Sequence, residues 1–331
     1  MKTLVPLLAL ALLLSACGGH KDAVISPVDT LSVLTGPAGG SWDSLGVGLR
    51  TAFADARYAL TTRNGGGVAN IPALAEGRAD LALSMSFLTY QAQSGGAPYD
   101  TTYTGMRVLA NLYPQYLYAL VKESYARQYN ISTFRELFAD HPLRLALLPR
   151  GTAGEFLAVR AIEACGATIA GVTMRGGVAH MDYQEGVDKL LTSNVDAFIF
   201  TLSAPSQLIR DLTCRDEFVF LPMDGPLLQT MHDQCGTIAH TLPAGLYDDL
   251  DSDVRVIGDY TCLLARADMP DSTAHALAGA LMNHWDDLCK DADMLPAQNT
   301  DEIFCDLGFP LHPGAKRFAE ELKKQAAPVG E

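Results

Sequence analysis

Two glycine-containing turns hold the residues best suited to chemistry. Gly36-Pro37-Ala38-Gly39-Gly40-Ser41 follows a short apolar run, Leu31 to Leu34, and precedes Leu45, Leu49 and Phe53 at i, i+4, i+8. Strand, glycine turn and helix in that order aim unpaired N–H groups and a helix N-terminus at one spot. The loop is therefore a cradle for an anion or another polar ligand. Residues 143–165 repeat the arrangement: an apolar strand, the turn Arg150-Gly151-Thr152, then Leu157, Ala161 and Cys165 at i, i+4, i+8. Arg63, Arg150 and Arg175 each stand beside a glycine turn, where a charge-assisted hydrogen bond to an anion adds roughly 1.5–3 kcal/mol.

Catalytic and metal-binding patterns are weak by comparison. The chain has no G-x-S-x-G, no H-E-x-x-H and no serine in a triad context. Asp80 and Asp196 each precede an apolar strand, a position that reads as turn hydrogen bonding before it reads as an acid/base pair. His232-x-x-Cys235 followed by His240, and His180-x-Asp182, are isolated pairs, so neither a metal nor a cofactor is expected.

The elements that carry these turns recur in order. The opening pattern returns about 112 residues later. "RNGGGVAN" at 63–70 is echoed by "RGGVAH" at 175–180, and 73–86 by 189–203, each of the last pair presenting an aspartate before an apolar strand. Strands alternating with helices in both halves predict an α/β fold of two lobes with mostly parallel sheets. Ligands of such sheets bind at the carboxyl ends of the strands, so two facing lobes make a cleft. Expected limits are 31–121 plus 238–325 for one lobe and 122–237 for the other, with crossings near 120–125 and 236–242 and a tail at 326–331. The whole is a hinged, two-lobed clamshell.

Compartment follows from the N-terminus. Lys2, the apolar run Leu4 to Leu14 and the small residues before Cys17 make residues 1–16 a lipoprotein signal, too short to span a bilayer. Cys17 becomes the lipidated first residue, with 17–30 as a linker, and the protein is anchored outside the cytoplasm. There a nucleotide phosphate is a poor candidate for the glycine turn. With 38 acidic against 24 basic residues and 48% hydrophobic content, the chain suits a folded acidic protein and not a nucleic-acid binder. Six cysteines follow Cys17 and allow fifteen complete pairings; Cys214/Cys235 and Cys289/Cys305 are nearest in sequence. Cys165 and Cys262 fall on apolar faces that suit buried thiols.

Seven segments in order resemble TAXI-type solute receptors of TRAP transporters: "TGPAGGSWDSLG", "GGGVANIPALAEGRADLAL", "LANLYPQYLYALV", "RGTAGEFLAVRAIEACG", "VDAFIFTLSAPSQLI", "TLPAGLYDD" and "LHPGAKRF". The resemblance implies a type II-like periplasmic clamshell that delivers a small organic acid, such as glutamate or another dicarboxylate, to TRAP permease subunits in the membrane. It implies a site built from Gly39, Gly40, Ser41, Trp42, Asn70, Met85, Ser86, Tyr113, Gln115, Gly151, Thr152, Ala153, Arg175 and Thr201. The chain departs from the pattern at Gly67, Gln115, Ser203 and above all Met85-Ser86-Phe87, where two polar positions have become apolar. A secreted α/β enzyme acting on a small polar substrate, and a sensory lipoprotein without a transporter, are the other readings. Replacing Cys17 by Ser removes the thioether anchor, so the protein should leave the membrane fraction and lose labelled lipid. Membrane retention by the variant would overturn the anchor.

Overall fold

The computed structural model describes residues 29–291 and 300–326. The signal segment, Cys17 and the tail lie outside the described residues. Strands are β1 (Asp29–Leu34), β2 (Tyr58–Arg63), β3 (Leu81–Met85), β4 (Met106–Lys122), β5 (Arg144–Leu147), β6 (Gly177–His180), β7 (Ala197–Leu202), β8 (Phe218–Phe220), β9 (Ile238–Leu242) and β10 (Val254–Arg266). Helices are α1 (Ser41–Asp55), α2 (Gly67–Ala75), α3 (Ser86–Ser94), α4 (Glu123–Tyr129), α5 (Ala153–Ala164), α6 (Ile169–Arg175), α7 (Tyr183–Leu191), α8 (Gln207–Thr213), α9 (Gly225–Cys235), α10 (Asp271–Asn283), α11 (Trp285–Asp291), α12 (Thr300–Ile303) and α13 (Pro313–Ala326).

The strands join into one mixed sheet ordered β2-β1-β3-β10-β4-β7-β5-β6, with β8 on β4 and β9 on β10. Read from the two ends, β2-β1-β3-β10 and β6-β5-β7-β4 follow the same plan: two parallel pairings, then an antiparallel one. The expected repeat is thus present in the topology. Its first and third echoes fit, because β1–α1 matches β5–α5 and β3 matches β7. The second does not. "RNGGGVAN" spans the end of β2 and the start of α2, whereas "RGGVAH" spans the end of α6 and β6. The counterpart of the α2 N-terminus is instead the start of α7, at Tyr183.

Both aspartates of the third echo serve the sheet. Asp80 accepts from the Ser32 N–H and hydroxyl, each at 2.8 Å, and Asp196 accepts from the Arg144 N–H at 2.8 Å. Asp80 thus fastens the middle of β1, and Asp196 the start of β5. The apolar alternation of β7 decides its two faces: Phe198, Phe200 and Leu202 enter one core, Ala197 and Ile199 the other.

The long strands β4 and β10 join the halves. β4 pairs with β10 up to Tyr116 and with β7 from Tyr116 to Val121. β10 pairs with β9 up to Gly258 and with β3 from Thr261. The ladder changes register between Tyr260 and Cys262, opposite Pro114, a residue that cannot donate to a ladder and is tolerated at bulges. The exchange of strand partners therefore lies at 114–116 and 258–261. Leu242, Val254 and Val256 pack with Tyr118, Phe198 and Phe200, since their strands continue the second half's sheet.

No disulfide uses Cys165, Cys214, Cys235, Cys262 or Cys305, all free thiols. The Cys214/Cys235 and Cys289/Cys305 pairings are therefore not formed. Cys262 is fully buried, as expected of its strand, whereas Cys165 ends α5 half-buried.

α3 has Met85 at its N-cap and no side-chain cap of its own. Asp259 of β10 supplies one: its carboxylate accepts from the Ser86 hydroxyl at 2.6 Å and the Phe87 N–H at 2.8 Å. Burial outweighs these donors and pushes the Asp259 pKa up to about 6. An acid with a raised folded-state pKa binds more protons folded than unfolded. Stability from this group is therefore lost as pH rises from about 4 to about 6. Comparing Asp259→Asn with the wild type from pH 4 to pH 7, the stability difference should move toward the variant by about 3 kcal/mol. A pH-independent difference would contradict the buried, shifted acid.

Candidate functional site

A narrow cavity of about 20 Å³ lies between the two halves at the carboxyl ends of β1 and β5. Three helices begin at its wall. α1 contributes Gly40, Ser41 and Trp42; α2 contributes Gly67; α5 contributes Thr152, Ala153 and Gly154. The first N–H groups of a helix have no intrahelical acceptor, and each N-terminus carries about half an elementary charge of positive sign. Gln115, Leu148, Tyr183 and Thr201 close the remaining sides, with Pro37 at the rim.

Local sequence explains how each start is held. Thr152 caps α5, its Oγ1 accepting from the Glu155 N–H at 3.1 Å and donating to the Pro149 carbonyl at 2.8 Å. At α2, Asn70 accepts from the Gly66 N–H at 3.1 Å and donates to the carbonyls of Thr35 and Leu83, each at 2.8 Å. Asn70 is buried and fully occupied, so it positions the loop from behind the wall and does not reach the cavity. Gln115 donates to the Ser41 hydroxyl at 3.1 Å. The Trp42 indole N–H donates to the Thr261 hydroxyl at 3.0 Å in the core, while the residue also lines the cavity.

Of the residues that the resemblance implies, Gly40, Ser41, Trp42, Gln115, Thr152, Ala153 and Thr201 come together at the cavity. Gly39 lines an adjoining opening beside Ser44 and Ser206. Gly151 lies at the lobe contact, its carbonyl accepting from the Ala69 N–H at 3.1 Å. Met85 is in the core and Ser86 is engaged with Asp259. Phe87 stacks on Phe156 of α5, ring centroids 6.0 Å apart, so the apolar change in this segment packs between lobes. Tyr113 is buried directly behind Ser41 and Gln115.

The arginines do not line the cavity. Arg175 donates to the Phe138 carbonyl at 3.2 Å, Arg63 to the Arg78 carbonyl, and Arg150 is exposed. Arg63 ends β2 and the half-buried Arg175 ends α6, each bonded to a backbone carbonyl away from the cavity. Leu148, Gly154 and Tyr183 are cavity residues absent from the expected set, and Gly67 figured there only as a departure. Tyr183 occupies the α2-equivalent place in the second half, a position the misaligned second echo concealed. Its hydroxyl donates to the Thr201 carbonyl at 2.8 Å.

The lobes are in close contact around the cavity. A Cβ added at Gly66 would stand 2.6 Å from the Gly151 carbonyl oxygen, and one at Gly40 would stand 2.5 Å from the Tyr183 ring. The Gly66 backbone is extended, so only the approach of the facing lobe demands glycine there. Gly66→Ala should enlarge the radius of gyration in small-angle scattering and remove the Ala69–Gly151 bond. An unchanged radius would show that the approach is not part of closure.

The comparisons agree with this architecture. MatC from Rhodopseudomonas palustris, solved with malate bound, aligns with a TM-score of 0.54 at 14% identity, over 90% of this chain and 98% of its own. The periplasmic binding protein BugD aligns with a TM-score of 0.51 at 16% identity, over 90% and 98%. The shared fold is the two-lobed α/β clamshell of periplasmic binding proteins. A family model matches residues 33–322, and the chain belongs to the NMT1-like family.

Proposed function

We propose that the protein is an extracytoplasmic receptor that captures a small organic anion between its lobes and passes it to a TRAP-type permease. The observation that carries this reading is the convergence of three helix N-termini on one cavity at a lobe contact. No lysine or arginine among the described residues lines that cavity, so its positive potential comes from backbone. One helix end contributes only about 0.3–1 kcal/mol when exposed and up to about 2 kcal/mol when partly buried. Micromolar affinity needs about 8 kcal/mol, so the anion must draw on α1, α2 and α5 together, and hence on closure. The lobes divide, in this reading, at the β4 and β10 handover. Transporter type rests on the resemblance to TAXI receptors, and the lipid anchor on the Cys17 segment. MatC carries malate, an organic anion of the proposed class.

Saturating organic acid should raise the melting temperature by mass action, about 2.7 kcal/mol of stabilisation at a hundred times Kd, and the acid itself should be recovered unchanged. Ala153→Pro is the sharper test. Ala153 is the first residue of α5, where proline is accepted by the helix but lacks the N–H. Thr152 already has the extended backbone that precedes proline. The variant should keep its ligand-free melting temperature and lose about ten-fold or more in affinity. Full affinity in Ala153→Pro would remove the α5 terminus from the site, and turnover of the acid would favour an enzyme.

A further inference from the structure

We infer that the solute extends past the narrow cavity into the polar crevice beside it, where Ser206 binds a hydroxyl at its far end. This rests on the organic-anion reading above and adds a second subsite to it.

Size requires the extension. The cavity of about 20 Å³ has room for little more than one water-sized group, since a single water occupies about 10–15 Å³ of such space. An organic acid places its carboxylate end there and no more. The crevice, about 230 Å³, opens from Gly40 and Ser41, which line both spaces. A solute held by its carboxylate at the helix starts therefore continues past Ser41.

The crevice, like the cavity, lies between the halves. One wall is the start of α1, from Gly39 to Ser44, and the other follows the carboxyl end of β7 into α8. Leu202 and Leu208 offer apolar surface for a short alkyl chain.

Ser206 marks where the chain should end. It is the N-cap of α8, a position at which serine ordinarily accepts from an N–H of the first turn. Here it makes no side-chain capping bond, and among the described residues its hydroxyl has no partner. The backbone N–H of Ser206 donates to the Tyr247 hydroxyl at 3.0 Å, which fixes the residue without using its side chain. Ser206 is only 3% exposed and lines the crevice. Hydroxyls this deeply buried are normally bonded. A serine hydroxyl both donates and accepts, so another hydroxyl complements it fully. Asp211 on the same wall accepts from the Gln207 amide at 2.6 Å. Its carboxylate retains further acceptor sites, which favours an O–H group over an ether or a ketone.

Titration calorimetry on the mature protein with hexanoate and 6-hydroxyhexanoate isolates the far hydroxyl. Matching pairs of four- and eight-carbon acids cover the distance to Ser206. At the chain length that reaches Ser206, the hydroxy acid should bind roughly five-fold tighter or more than the plain acid. In Ser206→Ala that advantage should fall below about two-fold, with the plain acid's affinity unchanged. The ligand-free melting temperature of this variant should not move, because the hydroxyl caps nothing. Ser44→Phe, which narrows the crevice from the exposed wall, should weaken the eight-carbon acids more than the four-carbon ones. A hydroxyl advantage absent at all three lengths, or undiminished in Ser206→Ala, would overturn the crevice subsite while leaving an organic-anion receptor. Absence of binding by every acid would overturn the organic-anion reading and this proposal with it.

Discussion

At Pro114 the β4–β10 ladder meets a residue without an N–H, and two residues further along β10 its register slips. An antiparallel pair of this length would otherwise hold the two halves as one stiff sheet, because every ladder bond resists shear. The missing donor and the first slip fall where both strands exchange partners. Gln115 of the cavity wall, its cross-strand partner Asp259 and Thr261 all lie near this point.

The electrostatics of the cleft follow from what the backbone can supply. Helix N-termini offer fixed, short-range positive potential without the conformational entropy of a long cationic side chain. They also cannot be neutralised by a change in protonation. Asp259 is tolerated in the core because it caps α3, with Ser86 and Phe87 bonding one oxygen each.

Closure uses small residues and apolar stacking more than side-chain ion pairs. Gly66 and Gly40 allow the opposing wall to approach, the Ala69–Gly151 bond joins backbone to backbone, and Phe87 rests on Phe156. The Met85-Ser86-Phe87 segment therefore contributes to the lobe contact and to the capping of α3, with its polar member directed at Asp259 and its aromatic member at the other lobe.

The sequence by itself determined the local pieces. Alternating apolar residues made β7 two-faced, glycine and threonine turns began α1 and α5, and the periodic leucines of α1 buried the face expected of them. These follow from neighbours a few residues apart, and so the cavity residues of both turns were legible. Only the tertiary structure decided how distant pieces meet. The register of β4 against β10, the equivalence of Tyr183 with the α2 start, the bonding of Arg175 to Phe138 and the capping of Phe87 by an acid 172 residues away depend on contacts between remote elements. No local pattern encodes those, because a strand specifies which face is apolar and not which partner, at which offset, will cover it.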